Sequence, residues 1–407
     1  MQEHIFANGL KLVYKKRETN LTSVCISINA GADMEEELYG LAHATEHMIF
    51  KETKNRKENE INRDLSKVFG FNNAMTNYPY VIYYGTLLEE DFETGIKIFS
   101  DILLNPVFPE NGFKEEMDVI KEELREWDEE LEQFVEDKQF LNTFEERRIK
   151  YPIIGRMEDL EKITLDDIKD FYDKLYFPGN TTISVVSNMD FDEVKYKVWK
   201  IFREWEGREN VKLKKPEYKT FKEGVYRDFR DGISSAKIQF IFPIEDLNED
   251  EIKVLKVFNE LFSNGINSVL FNKLRTERGL IYDVIPKISN EKSIKLYKII
   301  LGTSNNNIDK AIEIVNEAID EIGDIIDNLS EENIDDLIKG FKLKRLFREE
   351  QSIILAKELS TYDTMHGDYK IYLNEDVLLD FITKEHLKEL VSKLFSKKSI
   401  QIIQSKN

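Results

Sequence analysis

Five consecutive residues near the N-terminus have the types and the spacing of a catalytic metal motif: His43-Ala44-Thr45-Glu46-His47. On a helix, positions 43, 46 and 47 project from one face, because residues three and four apart are neighbours there. Two imidazoles one turn apart can bind one metal ion, and catalytic zinc takes three protein ligands and keeps a fourth position for water. A carboxylate beside that water can accept its proton. The string is the inverted form of the zincin motif and predicts a zinc site with Glu46 as general base.

The rarity of histidine makes this motif specific. The chain has only five histidines, yet two of them fall within five residues, with a glutamate at the required place. By chance, such a string is expected in on the order of one in a hundred chains of this composition. The alternative interpretation is a helix with two solvated or capping histidines.

A third ligand is needed, and the acidic run at 115–126 offers too many candidates. Glu116 and Glu123 are seven residues apart, so they share one face of a helix. Glu115 and Glu122 form an equivalent pair. Spacing alone does not choose between the pairs, and most of this run also fits a solvated acidic face.

The elements that would position these residues repeat along the chain. In each half, a strand is followed by a helix, a strand, long helices and a terminal strand, which predicts two similar α+β domains. Each is expected to be an antiparallel-dominated sheet with helices packed on one face. Residues 1–206 would form the catalytic domain and 233–407 the second, and the Lys- and Glu-rich stretch 207–232 would link them.

Periodicity predicts the individual elements. In the first half they are strands at 22–30, 73–88 and 181–188, and helices at 36–53, 58–69 (ended by Gly70), 90–104, 109–146, 165–177 and 191–205. In the second half they are strands at 236–242, 293–302 and 399–404, and helices at 249–263, 307–328, 331–365 and 373–396.

Composition limits the classes of function. With 407 residues and a net charge of −20, the chain is long enough for two domains and too acidic for nucleic acid to be the main partner. An acidic surface suits neutral or basic peptides, although it also serves solubility alone. Cys25 is the single cysteine, so no internal disulfide forms. Without a signal peptide or 18 consecutive apolar residues, we expect a cytoplasmic location and no membrane partner.

Several motifs, in this order, resemble the pitrilysin/insulinase family of inverted-motif zinc metallopeptidases, which includes the mitochondrial processing peptidase. The chain looks like the short, two-domain bacterial type. The matching stretches are Asn8-Gly9-Leu10, Gly40-Leu41-Ala42 before the zinc motif, Asn73-Ala74-Met75-Thr76 with Tyr83-Tyr84, Val119-Ile120-Lys121-Glu122-Glu123, and Leu274-Arg275-Thr276-Glu277-Arg278-Gly279-Leu280-Ile281-Tyr282.

The resemblance implies roles for the remaining site residues. The third zinc ligand would be Glu123, 76 residues after His47, and Glu116 would orient a ligating histidine by accepting its other N–H. Arg275 and Tyr282 would contact the substrate near the scissile carbonyl and donate to its oxyanion. Without the resemblance, we would interpret Arg275 as a member of a surface ion pair and Tyr282 as a half-buried strand residue.

Asn73 and Ala74 match an exposed sheet edge to which a peptide adds as an extra strand. The resemblance therefore implies one Zn²⁺ per chain and an endopeptidase that cleaves short or unfolded peptides. The chamber would be closed by a clamshell dimer, either a homodimer or a heterodimer with a homologous subunit. One alternative is a dedicated leader-peptide maturation protease with a paired homologous subunit. Another is a non-catalytic structural subunit, although such subunits usually have broken zinc ligands.

Overall fold

A computed structural model describes residues 1–127, 129–145, 147–207 and 221–406. The strands, in chain order, are β1 (Gln2–Ile5), β2 (Lys11–Lys16), β3 (Leu21–Ile28), β4 (Phe69–Thr76), β5 (Val81–Leu88), β6 (Thr181–Ser187), β7 (Gly224–Phe229), β8 (Ala236–Pro243), β9 (Ile281–Asn290), β10 (Lys295–Thr303) and β11 (Ser399–Gln404). The helices are α1 (Leu41–Ile49), α2 (Glu58–Val68), α3 (Phe92–Leu104), α4 (Glu110–Trp127), α5 (Leu131–Thr143), α6 (Met157–Leu160), α7 (Leu165–Leu175), α8 (Phe191–Phe202), α9 (Glu249–Phe262), α10 (Val269–Phe271), α11 (Ile308–Asp327), α12 (Glu331–Glu349), α13 (Ser352–His366), α14 (Lys370–Asn374) and α15 (Lys384–Leu394).

These elements form two units, each built on one sheet, which confirms the predicted two-domain α+β class. Unit 1 comprises Met1–Glu126, Tyr151–Pro216 and Arg348–Leu373. Unit 2 comprises Trp127–Lys150, Glu217–Phe347 and Asn374–Asn407. Unlike the predicted domains 1–206 and 233–407, these units are discontinuous in sequence. Half of the predicted linker 207–232 lies outside the described residues, and within the described half Gly224–Phe229 form strand β7.

The sheet of unit 1 has the strand order β1-β2-β6-β3-β5-β4. Pairing is antiparallel except between β2 and β6. The outermost strand β4 pairs with β5, with Asn73 opposite Tyr84 and Ala74 opposite Tyr83. Because β4 has no neighbour on its other side in this sheet, its outer main-chain groups form an edge to which another strand can add.

Both faces of the unit 1 sheet are covered. Every residue of β3 except Leu21 is buried, whereas a one-sided sheet would alternate. Cys25, on one face, belongs to an apolar cluster with Leu355 and Leu359 of α13. This helix lies within the predicted second domain, 233–407, so the prediction of helices on one face did not include it.

The sheet of unit 2 has the order β7-β11-β8-β10-β9. Its large apolar core includes residues of β8, β10, α9, α11 and α15. Helix α5, from the first half of the chain, contributes the buried Gln139, whose amide donates to the carbonyls of Gln239 (3.2 Å) and Ser399 (2.9 Å). Each unit therefore contains a helix whose sequence neighbours belong to the other unit.

Several predicted boundaries were wrong. The helix predicted at 36–53 begins only at residue 41, and the helices predicted at 109–146, 331–365 and 373–396 are each two helices. Gly70 does not end a helix but lies in β4, at a register irregularity. No described helix is both long and apolar enough to cross a membrane. The cytoplasmic location stays a prediction.

Candidate metal centre

Helix α1, which carries the histidines, is held at its N-terminus by a buried carboxylate. Glu35 Oε1 accepts the backbone N–H groups of Gly40 (3.1 Å) and Ala42 (2.9 Å). A negative group here satisfies free N–H donors and interacts favourably with the helix dipole. Gly40 has φ +95°, and a Cβ there would lie 2.4 Å from the Ile154 carbonyl oxygen, so only glycine fits. Sequence analysis did not identify Glu35; a carboxylate just before the helix was the available signal.

Three side chains converge beside helix α1. His43 Nε2 lies 3.8 Å from Glu123 Oε1, and His47 Nε2 lies 3.6 Å from Glu123 Oε2. One ligand atom from each of the three residues lies within 4.8 Å of the others. Atoms that share a tetrahedral zinc at about 2.1 Å lie roughly 3.4 Å apart, so the two distances to Glu123 approach that spacing, whereas the set as a whole, at up to 4.8 Å, is somewhat wider. Two imidazole nitrogens and one carboxylate also match the ligands of catalytic zinc sites, which keep a fourth position open.

The structure distinguishes the two glutamate pairs of α4 that spacing left open. Glu116 Oε1 lies 2.8 Å from His47 Nδ1, so it accepts the N–H that leaves Nε2 free for a metal. Glu115 and Glu122 are exposed, and Glu122 pairs with Arg125. The face of α4 that carries Glu116 and Glu123 is therefore the face directed at the histidines.

Lys51, just beyond the end of α1, forms a further layer behind Glu116. Its Nζ lies 2.9 Å from Glu116 Oε2 and 2.8 Å from Glu58. Burial opposes the charge on Glu116, but the hydrogen bonds with His47 and Lys51 hold the pKa of this carboxyl below its usual value. Glu116 is thus kept ionised, as an acceptor for the His47 N–H.

The two histidines differ in their electrostatics. Burial, and then the nearby His47, lower the pKa of His43 to about 3, which keeps its ring neutral and ready to bind a metal. Burial also disfavours charge on His47, but the hydrogen bond with Glu116 and the surrounding carboxylates raise its pKa above the usual value. A metal at this site would therefore compete with a proton at His47. Among the described residues, His43 Nδ1 is buried without a hydrogen-bond partner.

Glu46 lies on the same helix face and is 9% exposed. Burial raises the pKa of its carboxyl, although hydrogen bonds from Thr76 act in the opposite direction. The Thr76 hydroxyl donates to Glu46 Oε2 over 2.6 Å. A carboxylate whose pKa is moved towards neutrality suits a general base. Thr76 lies in the Asn73-Ala74-Met75-Thr76 stretch that resembles the family, but its sequence position alone indicated no role.

The predicted substrate residues Asn73 and Ala74 lie on the outer strand β4. The Ala74 N–H donates to the side-chain oxygen of Asn73 over 3.0 Å and so is not part of the ladder with β5. Asn73 also approaches the Tyr84 hydroxyl, at 3.5 Å. The main chain of Ala74 therefore faces the free edge of the sheet.

Arg275 and Tyr282 belong to unit 2 and lie together there. Arg275 sits in a π-helical segment, Asn272–Thr276, and donates to the backbone carbonyl of Tyr282. Its guanidinium lies 5.3 Å from the centre of the Phe271 ring. The Tyr282 side chain is exposed, as a substrate contact requires. The role of both residues at the metal site stays a prediction.

Two family models match this chain. Residues 11–156 match the model described as insulinase (peptidase family M16). This range contains the candidate ligands His43, His47 and Glu123, together with Glu46 and Glu116. Residues 162–341, which contain Arg275 and Tyr282, match the model described as the peptidase M16 inactive domain.

Individual proteins are also similar to this chain. A Bacillus subtilis (strain 168) protein, named uncharacterized zinc protease YmxG, is 27% identical over 385 residues, covering 93% of this chain and 90% of that protein. A probable mitochondrial-processing peptidase subunit beta from Arabidopsis thaliana is 28% identical over 48% of this chain and 37% of that protein. The crystal structure of a protease from Helicobacter pylori has the same fold, with a TM-score of 0.89, 20% identity and 99% coverage of both chains.

Proposed function

Because this chain belongs to the insulinase family (peptidase family M16), we propose that it is a zinc-dependent endopeptidase that cleaves short or unfolded peptides. The observation that carries the proposal is the convergence of His43, His47 and Glu123 ligand atoms within 4.8 Å, with the buried Glu46 carboxylate on the same helix face. Bacterial relatives that are named uncharacterized zinc proteases support the proposal.

We propose that His43, His47 and Glu123 hold one Zn²⁺ per chain. When bound, zinc would supply Lewis acidity that polarises a peptide carbonyl and makes water more acidic. The chain's own residues would do the remaining work. Glu46 would accept the proton of the attacking water and deliver it to the leaving amine, so that water and an amide become an acid and an amine. Glu116 would keep His47 oriented through its Nδ1–H.

The substrate would bind along the outer edge of β4. Main-chain hydrogen bonds at Ala74 would hold the peptide in extended form, with the Asn73 side chain moving from its bond to the Ala74 N–H. This binding mode recognises the main chain of the peptide rather than its side chains. It requires an extended segment, which favours unfolded peptides. Arg275 and Tyr282 would donate to the oxyanion, and a dimer with a second copy or a homologous subunit would enclose the site.

A narrower candidate is a maturation protease that removes leader peptides together with a homologous subunit. It is favoured by the similarity to a protein named as a mitochondrial-processing peptidase subunit. The two candidates share one chemistry and differ in the number of substrates. Incubation with a library of unrelated peptides separates them, because a general peptidase cleaves many members and a maturation protease cleaves few.

The Glu46→Gln substitution tests the proposed chemistry. We expect kcat on a fluorogenic peptide to fall by about 10²–10⁴-fold, the usual contribution of a general base, while bound zinc is retained. Glu122→Gln on the exposed face of α4 is the matched control and should leave kcat and the amount of bound zinc unchanged. Full activity of Glu46→Gln with zinc bound would refute the general-base assignment. A wild-type chain that binds zinc and cleaves no peptide of the library would refute the peptidase proposal.

A further inference from the structure

We infer that Thr76 is a positioning residue that fixes the orientation of the Glu46 carboxylate from the strand along which the substrate binds. The inference rests on the proposed peptidase function and adds a residue to it. Thr76 is the last residue of β4 and is 8% exposed. Its hydroxyl has one hydrogen-bond partner among the described residues, Glu46 Oε2, at 2.6 Å.

The Thr76 hydroxyl is the donor that reaches the carboxylate, over 2.6 Å. Hydrogen bonds to an ionised acceptor are short and about twice as strong as neutral ones. A carboxylate held by such a bond loses rotational freedom, so its position relative to the reacting water is set by β4.

The position of Thr76 on the strand links the base to the substrate. Main-chain groups of alternate residues in an edge strand point to the same side, and Thr76 is two residues beyond Ala74. The Ala74 N–H is directed away from the ladder with β5, and the Thr76 hydroxyl donates to Glu46 on α1. The base therefore lies in line with the edge on which the peptide would add. Strand β4 would therefore fix the position of the base relative to a peptide bound along its edge.

This arrangement predicts an effect on kcat rather than on binding. A displacement of about 1 Å at a reacting group costs on the order of 10²-fold in rate. Thr76→Val keeps the shape of the side chain and removes the hydroxyl, so Glu46 loses the donor that fixes its carboxylate. We expect kcat to fall by about 10–100-fold, with KM unchanged because the Ala74 edge is intact. Thr76→Ser restores the hydroxyl and should recover most of kcat.

The matched control is Thr182→Val in β6. Thr182 is likewise a buried threonine whose hydroxyl donates to a carboxylate, Asp363 Oδ2, at 2.7 Å, but it lies in no part of the metal centre. Loss of a buried hydrogen bond should lower the stability of both valine variants by similar amounts. Only Thr76→Val should lower kcat.

The test measures kcat and KM on a fluorogenic peptide, the zinc Kd by chelator competition, and a double-mutant cycle with Glu46→Gln. The inference predicts an unchanged zinc Kd for Thr76→Val and no further loss of kcat when it is added to Glu46→Gln, because Thr76 acts through Glu46. Unchanged kcat in Thr76→Val, a similar loss in Thr182→Val, or a full additional loss on the Glu46→Gln background would each overturn it. If the wild-type chain binds zinc and cleaves no peptide, the proposed function fails, and the positioning role falls with it.

Discussion

Replacement of Glu116 by glutamine separates the proposed orienting residue from the proposed zinc ligands. Glu116 Oε1 lies 2.8 Å from His47 Nδ1, whereas the Glu123 oxygens face the Nε2 atoms of both histidines. The Glu116→Gln side chain keeps an acceptor oxygen and nearly the same shape but loses its charge. His47 then donates to a weaker acceptor, which lowers the basicity of its Nε2.

The structure sets the size of the effect. Loss of such a supporting partner usually weakens metal affinity by about 10–100-fold, or roughly 1.4–2.8 kcal/mol. Because Lys51 lies 2.9 Å from the other Glu116 oxygen, it already offsets part of the carboxylate charge. We therefore expect the lower half of that range, about 10–30-fold. Lys51 keeps Glu58 as a partner at 2.8 Å, so the zinc-free protein should lose only about 1 kcal/mol of folding stability.

The assay is zinc competition against a calibrated chelator at fixed pH, with urea unfolding of the zinc-free protein as the stability measurement. Glu115→Gln, one residue away on the exposed face of α4, is the control and should match the wild type in both. If Glu116→Gln binds zinc as tightly as Glu115→Gln, the orienting role is wrong. If it loses zinc as completely as Glu123→Gln, Glu116 is itself a ligand and the reasoning is also wrong.

Three further predictions concern the support of α1. Lys51→Met removes the donor that orients the Glu116 carboxylate, so it should weaken zinc binding, by less than Glu116→Gln does, and Lys51→Arg should restore it; equal losses for Met and Arg in a chelator titration would contradict this orienting role. Burial raises the pKa of Asp101, but the side-chain hydrogen bonds that it accepts outweigh this effect and hold the pKa below the usual 3.8. The Asp101 carboxylate therefore stabilises the fold above pH 3.8, and this contribution to stability is lost as the pH falls through the lower pKa of the folded state. Asp101→Asn should therefore destabilise by about 1–3 kcal/mol at pH 7 in urea unfolding, with a difference that narrows below pH 3.8, and a pH-independent difference would contradict it. Gly40→Ala should lower the melting temperature and the zinc content together, because its Cβ would lie 2.4 Å from the Ile154 carbonyl oxygen; normal values for both would show that the backbone adapts.

The sequence predicted the helix that carries the two histidines because its signal is local. His43, Glu46 and His47 lie within two turns, and their shared face follows from helical spacing alone. The choice of Glu123 over Glu122 did not follow from spacing, since both lie on one uninterrupted helix. That choice depends on the rotation of α4 about its axis, which is set by the packing of buried residues such as Ile120.

The elements that sequence analysis missed depend on distant partners. Strand β7 lies within the predicted linker because its exposed side chains alternate with half-buried ones at a sheet edge, so its apolar signal is weak. Helix α13 reads as the continuation of α12, yet it packs on the sheet of unit 1. The hydrogen bond between Thr76 and Glu46 joins residues 30 apart, and neither spacing nor composition indicates it.

The proposed function requires one zinc ion held by His43, His47 and Glu123. Anomalous diffraction from crystals of the zinc-loaded chain, collected at the zinc absorption edge, would locate that ion. We expect one peak per chain, at about 2.0–2.2 Å from both Nε2 atoms and a Glu123 oxygen. A peak coordinated by other side chains, or none at these three residues, would contradict it.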